Sequence, residues 1–283
     1  MNSYIITKSI TPKIKNEDYV ESFKNEKLNI KGFIVGDGIG SHYKASEGSE
    51  FCVKTLKSYI ENCSSIQELN LTHFYNKVYN DLKTEFTNAE KDNLEIDKTH
   101  SYGTTLIGVI EFEEKFIISY LGNGSVWHIR GNFYDFSPQR YLPWNAINVL
   151  NPHTVEENGK EALYKFIALE CTDEQLQPTI LEISKDKDFF GDIILASTDG
   201  LFSNDHNPIA KDREGNLWIS GDKKIEMLLN TLKISMQKRP LLEESINTDI
   251  NEYLTKIIDN KLIDDDTTFG LIIPSILLIK TQE

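Results

Sequence analysis

The sequence predicts an α+β fold in which antiparallel β-sheets are flanked by layers of helices. Three observations support this prediction: short apolar segments rich in β-branched residues, four segments with helical periodicity, and the order in which the two kinds follow one another. The helices come as two pairs, one after the first strands and one before the last strand. Grouped elements of this kind are typical of antiparallel sheets covered by helices, whereas a doubly wound parallel sheet needs strands and helices in alternation.

The strand predictions rest on runs of Val, Ile, Thr, Phe and Tyr, the residue types enriched in β-sheets. The segment Thr104–Arg130 is predicted to form a hairpin that turns at Glu113–Glu114 and is followed by a third strand. The predicted strands are Tyr4–Thr7, Gly32–Val35, Thr104–Ile110, Phe116–Leu121, Val126–Ile129, Thr179–Ile183, Ile193–Ser197 and Thr268–Ile273.

Four segments place their apolar side chains on one face at the spacing of an α-helix. Arg239-Pro240 predicts the end of the third helix, because proline cannot continue the hydrogen-bond ladder. The apolar faces run from Cys52 to Cys63, from Phe74 to Phe86, from Ile225 to Met236 and from Leu242 to Ile258.

No internal repeat and no linker rich in Pro, Ser or Gly divides the chain, so residues 1–283 are expected to form a single domain. Two polar stretches, residues 137–160 and 203–223, lack clear periodicity. We expect both to be loops near the mouth of a site, since long loops in compact domains often carry function.

The charge of the chain limits its partners. Thirty Lys and Arg residues against 44 Asp and Glu residues leave a formal net charge of −14. This balance argues against nucleic-acid binding through a basic surface. It would also repel a phosphorylated substrate, so local cations are needed for such a substrate, and metal ions held by acidic residues are the simplest source.

The three cysteines, Cys52, Cys63 and Cys171, form no CxxC pair. They argue against a disulfide framework and against a cysteine-bound zinc ion, and they favour a reducing compartment. The first residues do not resemble a signal peptide, and the longest apolar runs are too short to span a membrane. The sequence therefore predicts a cytoplasmic protein without membrane contact.

Three acidic residues stand at the ends of apolar strands. Asp37 and Asp199 each follow a predicted strand and precede a glycine, and Asp265 lies just before the last strand. A single Asp-Gly pair is more often a turn. Three carboxylates gathered at strand ends would repel one another unless a cation held them. Oxygen ligands without Cys or paired His favour Mg²⁺ or Mn²⁺ over Zn²⁺.

Six short motifs follow one another along the chain: Lys13–Asp18 (KIKNED), Val35–His42 (VGDGIGSH), Gly103–Leu106 (GTTL), Tyr120–Ser125 (YLGNGS), Ala196–Leu201 (ASTDGL) and Asp265–Thr268 (DDTT). They are similar, in the same order, to motifs of the bacterial metal-dependent Ser/Thr protein phosphatases of the PPM, or protein phosphatase 2C-like, family. The resemblance implies two packed antiparallel sheets between pairs of helices, an α-β-β-α sandwich.

The resemblance also implies a set of metal ligands. Asp37 would bridge two Mn²⁺ or Mg²⁺ ions, and the Gly38 carbonyl would bind one of them. Asp199 and Asp265 would complete the other, with Asp266 as the alternative to Asp265 because three consecutive aspartates leave the register open by one residue.

Glu17 and Asp18 would hold metal-bound waters. A water bridging the two ions would attack phosphorus directly, so no side-chain nucleophile is required.

Lys13 stands where the family usually has a phosphate-binding arginine. It can neutralise a phosphate but cannot form a bidentate fork. A solvated surface lysine is an equally good interpretation, and the neighbouring Lys15 could take the role.

Three further positions depart from the family pattern. Asn123 and Ser203 stand where aspartates help to hold a third metal ion, so a third ion should bind weakly or not at all. Ile39 stands where some members have a histidine proposed to protonate the leaving group. His42 is the nearest candidate for that task, although a structural or capping role for it is the better expectation.

The resemblance implies a protein-serine/threonine phosphatase that hydrolyses phosphoserine or phosphothreonine in a phosphorylated protein, with a cognate Ser/Thr kinase or its target as further partner. The main alternative is a pseudophosphatase that binds a partner without turnover. A third is a relative of stage-II sporulation phosphatases, which act on anti-anti-sigma factors. The complete set of Asp37, Asp199 and Asp265 favours an active enzyme.

Overall fold

The computed structural model describes residues 3–90, 96–131, 144–157, 160–185, 192–201, 209–211, 217–219, 223–238 and 243–274. Within these residues the α-helices are α1 (Ala45–Asn62), α2 (Leu71–Ala89), α3 (Lys223–Gln237) and α4 (Glu243–Asp259). The strands are β1 (Ser3–Ile10), β2 (Tyr19–Asn25), β3 (Ile30–Gly38), β4 (Thr104–Glu111), β5 (Lys115–Leu121), β6 (Ser125–Gly131), β7 (Trp144–Asn148), β8 (Thr154–Glu157), β9 (Lys160–Leu163), β10 (Thr179–Ser184), β11 (Asp192–Ser197), β12 (Ile209–Lys211), β13 (Leu217–Ile219) and β14 (Thr267–Pro274).

Two five-stranded sheets form the centre of the fold. Sheet I has the strand order β1-β14-β11-β6-β7, and sheet II has the order β10-β5-β4-β3-β2. Every pairing within them is antiparallel. The last strand, β14, lies between the first strand and β11, so the two ends of the described chain meet in one sheet.

The sheets pack face to face, and each carries a helix pair on its outer face. Phe33 of sheet II and Ile194 of sheet I belong to the core cluster between the sheets. Ile34 faces the opposite way and packs with Leu56 of α1, as the alternation of side chains along a strand requires. On the other outer face, Leu228 of α3 packs in the cluster that includes β11 and β14. The predicted α+β fold of two packed antiparallel sheets flanked by pairs of helices is confirmed.

The sequence located these elements to within a few residues. All eight predicted strands and all four predicted helices are present, and the hairpin at Glu113–Glu114 joins β4 to β5. Strand β2 was not predicted, because charged and polar residues interrupt its apolar pattern and it lies at the edge of sheet II. The predicted helix stop at Arg239-Pro240 lies outside the described residues.

The prediction that residues 137–160 and 203–223 are loops was wrong in part. The first stretch contains β7, which extends sheet I, and β8, which pairs with β9 in a separate two-stranded hairpin. The second contains β12 and β13, which pair with each other. Strands of three to five residues are too short for a period of two to be recognised in the sequence.

None of the helices in the described residues combines the length and the apolar composition needed to cross a bilayer.

Candidate metal centre

Asp37 and Gly38 form the end of β3, beside the start of β4. In the antiparallel register Asp37 pairs with Thr105 and Gly38 with Thr104. The Thr104 hydroxyl also donates a hydrogen bond to the main-chain carbonyl of Asp37, at 3.0 Å. The strand end that carries the half-buried Asp37 is therefore fixed by the backbone of the neighbouring strand.

Asp199 begins a 3₁₀ turn, Asp199–Leu201, directly after β11. A Cβ atom at Gly200 would lie 1.8 Å from the main-chain oxygen of Asp266. Only a glycine lets this turn pass so close to the start of β14, and the approach brings Asp199 beside the aspartate run. The side-chain amide of Asn123 donates a hydrogen bond to Asp199 Oδ2, at 2.8 Å.

The consecutive aspartates before β14 point in different directions. The side chain of Asp265 is 54% exposed and forms an ion pair with Lys13. That of Asp266 is 3% exposed. Its Oδ2 accepts a hydrogen bond from the main-chain N–H of Glu17, at 2.8 Å, while its buried Oδ1 has no hydrogen-bond partner among the described residues.

One pocket of about 160 Å³ joins these strand ends. Asp37 of sheet II, Asp199 of sheet I and Asp265 before β14 all line it, together with Gly38 and Lys13. Asp266 does not line it. The face-to-face packing of the two sheets thus brings together three carboxylates that are far apart in the sequence.

Two carboxyl groups at the site, Asp37 and Asp18, have raised pKa values. Burial raises the pKa of Asp37 well above its usual value, and the charges of Asp18, Asp199 and Asp265 raise it further. Burial also raises the pKa of Asp18 to about 7, with a smaller contribution from the charge of Asp266. The Asp18 and Asp37 carboxyl groups hydrogen-bond each other. Such a cluster stabilises a cation placed among its members, because each carboxylate is more stable ionised when a positive charge is near.

Lys13 supplies a positive charge to this site. Its ammonium group pairs with Asp265 and lies 3.9 Å from both Glu17 Oε2 and Asp266 Oδ2. These contacts hold the exposed lysine at the rim of the acidic pocket, which it lines. The Lys15 side chain is exposed and does not line the pocket.

Glu17 and Asp18 lie behind the pocket wall and do not line it. Asp18 is buried, and its Oδ2 accepts a hydrogen bond from the Thr198 hydroxyl, at 2.9 Å. The same hydroxyl accepts from the main-chain N–H of Thr268, at 3.0 Å. Thr198, which the sequence did not single out as a site residue, therefore links Asp18 to both β11 and β14.

A second missed residue is His153, just before β8. Its Nδ1 accepts a hydrogen bond from the main-chain N–H of Gly122, at 3.1 Å, and its Nε2 lies 2.8 Å from the Thr179 hydroxyl. Gly122 has a φ of +104°, a conformation that favours glycine, and it immediately precedes Asn123. His153 thus supports the turn that presents Asn123 to Asp199.

The other positions discussed as departures from the family pattern, Ile39 and Ser203, and the nearby His42 lie in different places. Ile39 lines the acidic pocket, whereas His42 does not. The buried Nδ1 of His42 has no hydrogen-bond partner among the described residues. Its ring is buried and packs edge-on against Phe166, at 5.5 Å between centroids. Ser203 lies outside the described residues.

The donor set suits a hard divalent cation, because it consists of carboxylate and carbonyl oxygens. A positive charge placed in the pocket would offset the repulsion that raises the pKa of Asp37, and the buried Oδ1 of Asp266 nearby has no hydrogen-bond partner among the described residues. Within the described ranges, no three His, Cys, Asp or Glu side chains lie close enough together to enclose an ion without moving.

Comparison with known proteins gives one family. Residues 7–212 match the sequence model of the family described as Protein phosphatase 2C. No curated protein matches the chain significantly by sequence.

Several solved structures have a similar fold. The serine/threonine phosphatase Stp1 from Staphylococcus aureus is 17% identical, with a TM-score of 0.59, and the match covers 96% of this chain and 95% of that one. The S. agalactiae serine/threonine phosphatase is 13% identical, with a TM-score of 0.59 and coverage of 96% and 100%. A structure of the catalytic domain of PstP in complex with two manganese ions is 16% identical, with a TM-score of 0.55 and coverage of 96% and 98%. At these identities the matches establish a shared fold.

Proposed function

The chain belongs to the protein phosphatase 2C family, and from this membership we propose that it hydrolyses phosphoserine and phosphothreonine in proteins with two bound divalent cations. Membership confirms the predicted family and class of enzyme, a protein serine/threonine phosphatase. The use of Mn²⁺ or Mg²⁺ by this chain is supported by a structural relative in complex with manganese. The number of ions, their ligands and activity with this particular set of residues belong to the proposal.

The observation that carries the proposal is the single pocket lined by Asp37, Asp199 and Asp265. We assign these carboxylates and the Gly38 carbonyl as the ligands that would hold the ions. The exposure of Asp265 to the pocket favours it over Asp266 as the ligand. Among the described residues, no three carboxylates are close enough together to coordinate one ion. Ion binding would therefore require these side chains to move closer around the cations.

When bound, divalent cations would offset the charge of the phosphate and lower the pKa of water for its attack on phosphorus. The protein's own residues have supporting roles. Asp18, held by Thr198, and Glu17, held through its main-chain N–H by Asp266, would orient waters behind the ligands. Lys13 would pair with the phosphate once its contact with Asp265 is released. Asn123 would hold Asp199 in place through the amide hydrogen bond.

The partner of this site is a phosphorylated protein, as family membership implies. A kinase that phosphorylates the same target is a further proposed partner. We also propose that residues 1–283 form one phosphatase domain, which is supported by structural matches that cover 96% of the chain. The predictions of a cytoplasmic location and of no contact with nucleic acid or membrane stay predictions.

A pseudophosphatase is the alternative from another class of function. Two observations favour it: Lys13 already occupies the acidic pocket as a counter-ion, and Asn123 stands where the family has an aspartate. Retention of all three pocket carboxylates favours the enzyme, because a binding module has no need to hold three repelling charges together.

Hydrolysis of p-nitrophenyl phosphate and of a phosphothreonine peptide tests the proposal. Turnover should occur with Mn²⁺ or Mg²⁺, should stop with EDTA, and should fall about 100-fold or more in Asp199→Ala, since a metal ligand is removed. Asp259→Ala removes the same charge at the exposed end of α4 and is the matched control. If the folded protein turned over neither substrate with any metal yet bound Mn²⁺ calorimetrically, a specialised substrate would be indicated. Absence of both turnover and binding would favour the pseudophosphatase.

A further inference from the structure

A second and larger pocket, of about 530 Å³, opens beside the acidic pocket. The two share Ile39, Asn123, Leu163 and Asp199 as lining residues. A group bound at the acidic pocket would therefore have the larger pocket next to it. Because an extended peptide advances by about 3.3 Å per residue, side chains within a few positions of a bound phosphorylated residue can reach the second pocket.

The hairpin β8–β9 forms one wall of this pocket and contributes Glu157 and Leu163. The base of the hairpin is anchored to the structure around the metal centre. The His153 main-chain N–H donates to the Gly122 carbonyl at 3.0 Å. Just beyond the hairpin, Ile167 and Thr104 exchange two main-chain hydrogen bonds of 2.8 and 3.0 Å. The wall is therefore held at a defined distance from the acidic pocket.

Three rings also line this pocket, those of His42, His100 and Phe166. His42 lies edge-on between Phe166 and His100, with centroids 5.5 and 5.1 Å away. Burial, together with the neighbouring His100, lowers the pKa of His42 to about 4, so this imidazole is neutral at pH 7. His100 Nδ1 lies 2.8 Å from Asp97 Oδ2 and is balanced by that carboxylate.

The pocket is therefore negative as well as ring-lined. Two carboxylates, Glu157 and Asp199, are among its lining residues, and no Lys or Arg is found among those that the structure describes there. An acidic side chain would meet the like charge of Glu157 in this space, and an apolar one would offer the Glu157 carboxylate no ion-pair partner. A cationic side chain avoids both penalties, since it can pair with the carboxylate and lie against the rings that line the pocket.

We infer that this pocket is a specificity subsite for the basic side chain of an Arg or Lys close to the phosphorylated residue of the substrate, with Glu157 as its ion-pair partner. The inference rests on the proposed function, because it assumes that the phosphate binds at the acidic pocket. The substrate class it selects is a phosphopeptide whose negative phosphate is accompanied by a nearby positive charge.

Peptide binding, measured apart from turnover, tests the subsite. Fluorescein-labelled peptides would carry a phosphonate analogue of phosphothreonine, with Arg, Ala or Glu placed in turn at each of three positions on either side. Fluorescence anisotropy in Mn²⁺ gives the Kd of each peptide. The wild type should bind the Arg peptide about 5- to 10-fold more tightly than the Glu peptide at one or two positions, as expected for one partly exposed ion pair.

Glu157→Gln should remove most of this preference. Glu156→Gln is the matched control, because Glu156 is the adjacent exposed residue on β8, is absent from the pocket lining and carries the same charge. It should keep the preference, which separates a local ion pair from the general attraction of a chain of net charge −14.

Two results would overturn the inference: equal Kd values for the Arg and Glu peptides at every position in the wild type, or an unchanged Arg preference in Glu157→Gln. Hydrolysis of p-nitrophenyl phosphate, which is too small to reach the second pocket, is assayed in parallel. Its rate should be the same in wild type and in the control Glu156→Gln. A wild type without hydrolysis would contradict the proposed function, while the binding preference would still decide the subsite.

Discussion

Asn123 donates its side-chain amide hydrogen bond to the carboxylate of Asp199, with 2.8 Å between Nδ2 and Oδ2. The contact joins the turn after β5 to the turn after β11, and hence sheet II to sheet I. A neutral donor at this position stabilises Asp199 in its ionised form without metal, whereas an aspartate would add a repelling charge to a pocket that already holds three carboxylates.

Asn123→Asp should therefore destabilise the metal-free protein and increase its response to metal. The lost hydrogen bond and the added repulsion should lower the free energy of unfolding by about 1–3 kcal/mol in EDTA. Saturating Mn²⁺ should restore more stability than in the wild type, because the new carboxylate is an additional ligand. Thermal unfolding with EDTA and with Mn²⁺ measures both effects. Asn123→Ala loses the hydrogen bond without adding charge, so Mn²⁺ should stabilise it no more than it stabilises the wild type. If Mn²⁺ stabilised Asn123→Asp and the wild type equally, the prediction would be refuted.

Lys13→Met should tighten Mn²⁺ binding and weaken phosphate binding. In the metal-free protein the lysine is paired with Asp265, and a cation must break that pair to use Asp265 as a ligand. Since the lysine is 38% exposed, solvent screening keeps the pair weak, and the Kd for Mn²⁺ should fall by only about 2- to 5-fold. Calorimetric titration with Mn²⁺ gives this Kd, and inhibition by inorganic phosphate reports the anion site.

The matched control is Lys15→Met, which removes the neighbouring exposed lysine. It should leave both constants unchanged. Weaker phosphate inhibition in Lys15→Met but not in Lys13→Met would show that Lys15 is the anion-binding residue and that the assignment of Lys13 is mistaken.

Asp265→Ala and Asp266→Ala should have opposite profiles. Asp265 lines the pocket and is exposed, so its loss should weaken Mn²⁺ binding about 10-fold or more with little change in the stability of the metal-free protein. Asp266 is buried and accepts the Glu17 main-chain N–H, so its loss should lower the free energy of unfolding by about 1–3 kcal/mol. Titration calorimetry and urea unfolding on both variants separate the two roles. A reversed result would place the metal ligand one residue later.

Acid should destabilise the protein through His153. Burial, followed by the charge of Lys165, lowers the pKa of His153 to about 4, against about 6.5 in the unfolded chain. Between these values the unfolded state binds a proton that the folded state does not. Stability from this group is therefore fully present above pH 6.5 and is lost as the pH falls toward 4. From pH 7 to pH 5 the loss is about 2 kcal/mol.

His153→Asn tests the assignment, because the Asn side-chain oxygen can still accept the Gly122 N–H. Urea unfolding at pH 7 and pH 5 should show a smaller loss for the variant than for the wild type. Identical losses would mean that another group, such as the buried His42, accounts for the acid sensitivity.

The sequence predicted the fold well because its signals are local. A run such as Ile193–Ser197 has the residue types of a buried strand wherever it lies in the chain, and the glycine after Asp199 marks the turn that ends it. The same reasoning failed for β2 and for the hairpin β8–β9, whose residues alternate only weakly or are mostly exposed. These strands form because a neighbouring strand is available as a partner, β3 for β2 and β9 for β8. Pairing of this kind depends on tertiary context more than on the local residue types.

The sequence by itself determined that three carboxylates stand at strand ends, Asp37, Asp199 and Asp265, and that Lys13 belongs to a motif near them. Only the tertiary structure decided which of the consecutive aspartates faces the pocket, and that Lys13 pairs with it. The reason is physical: a side chain's direction follows from the register in which its strand is paired. The ion pair also joins residues about 250 positions apart, which meet only because β14 lies next to β1 in sheet I.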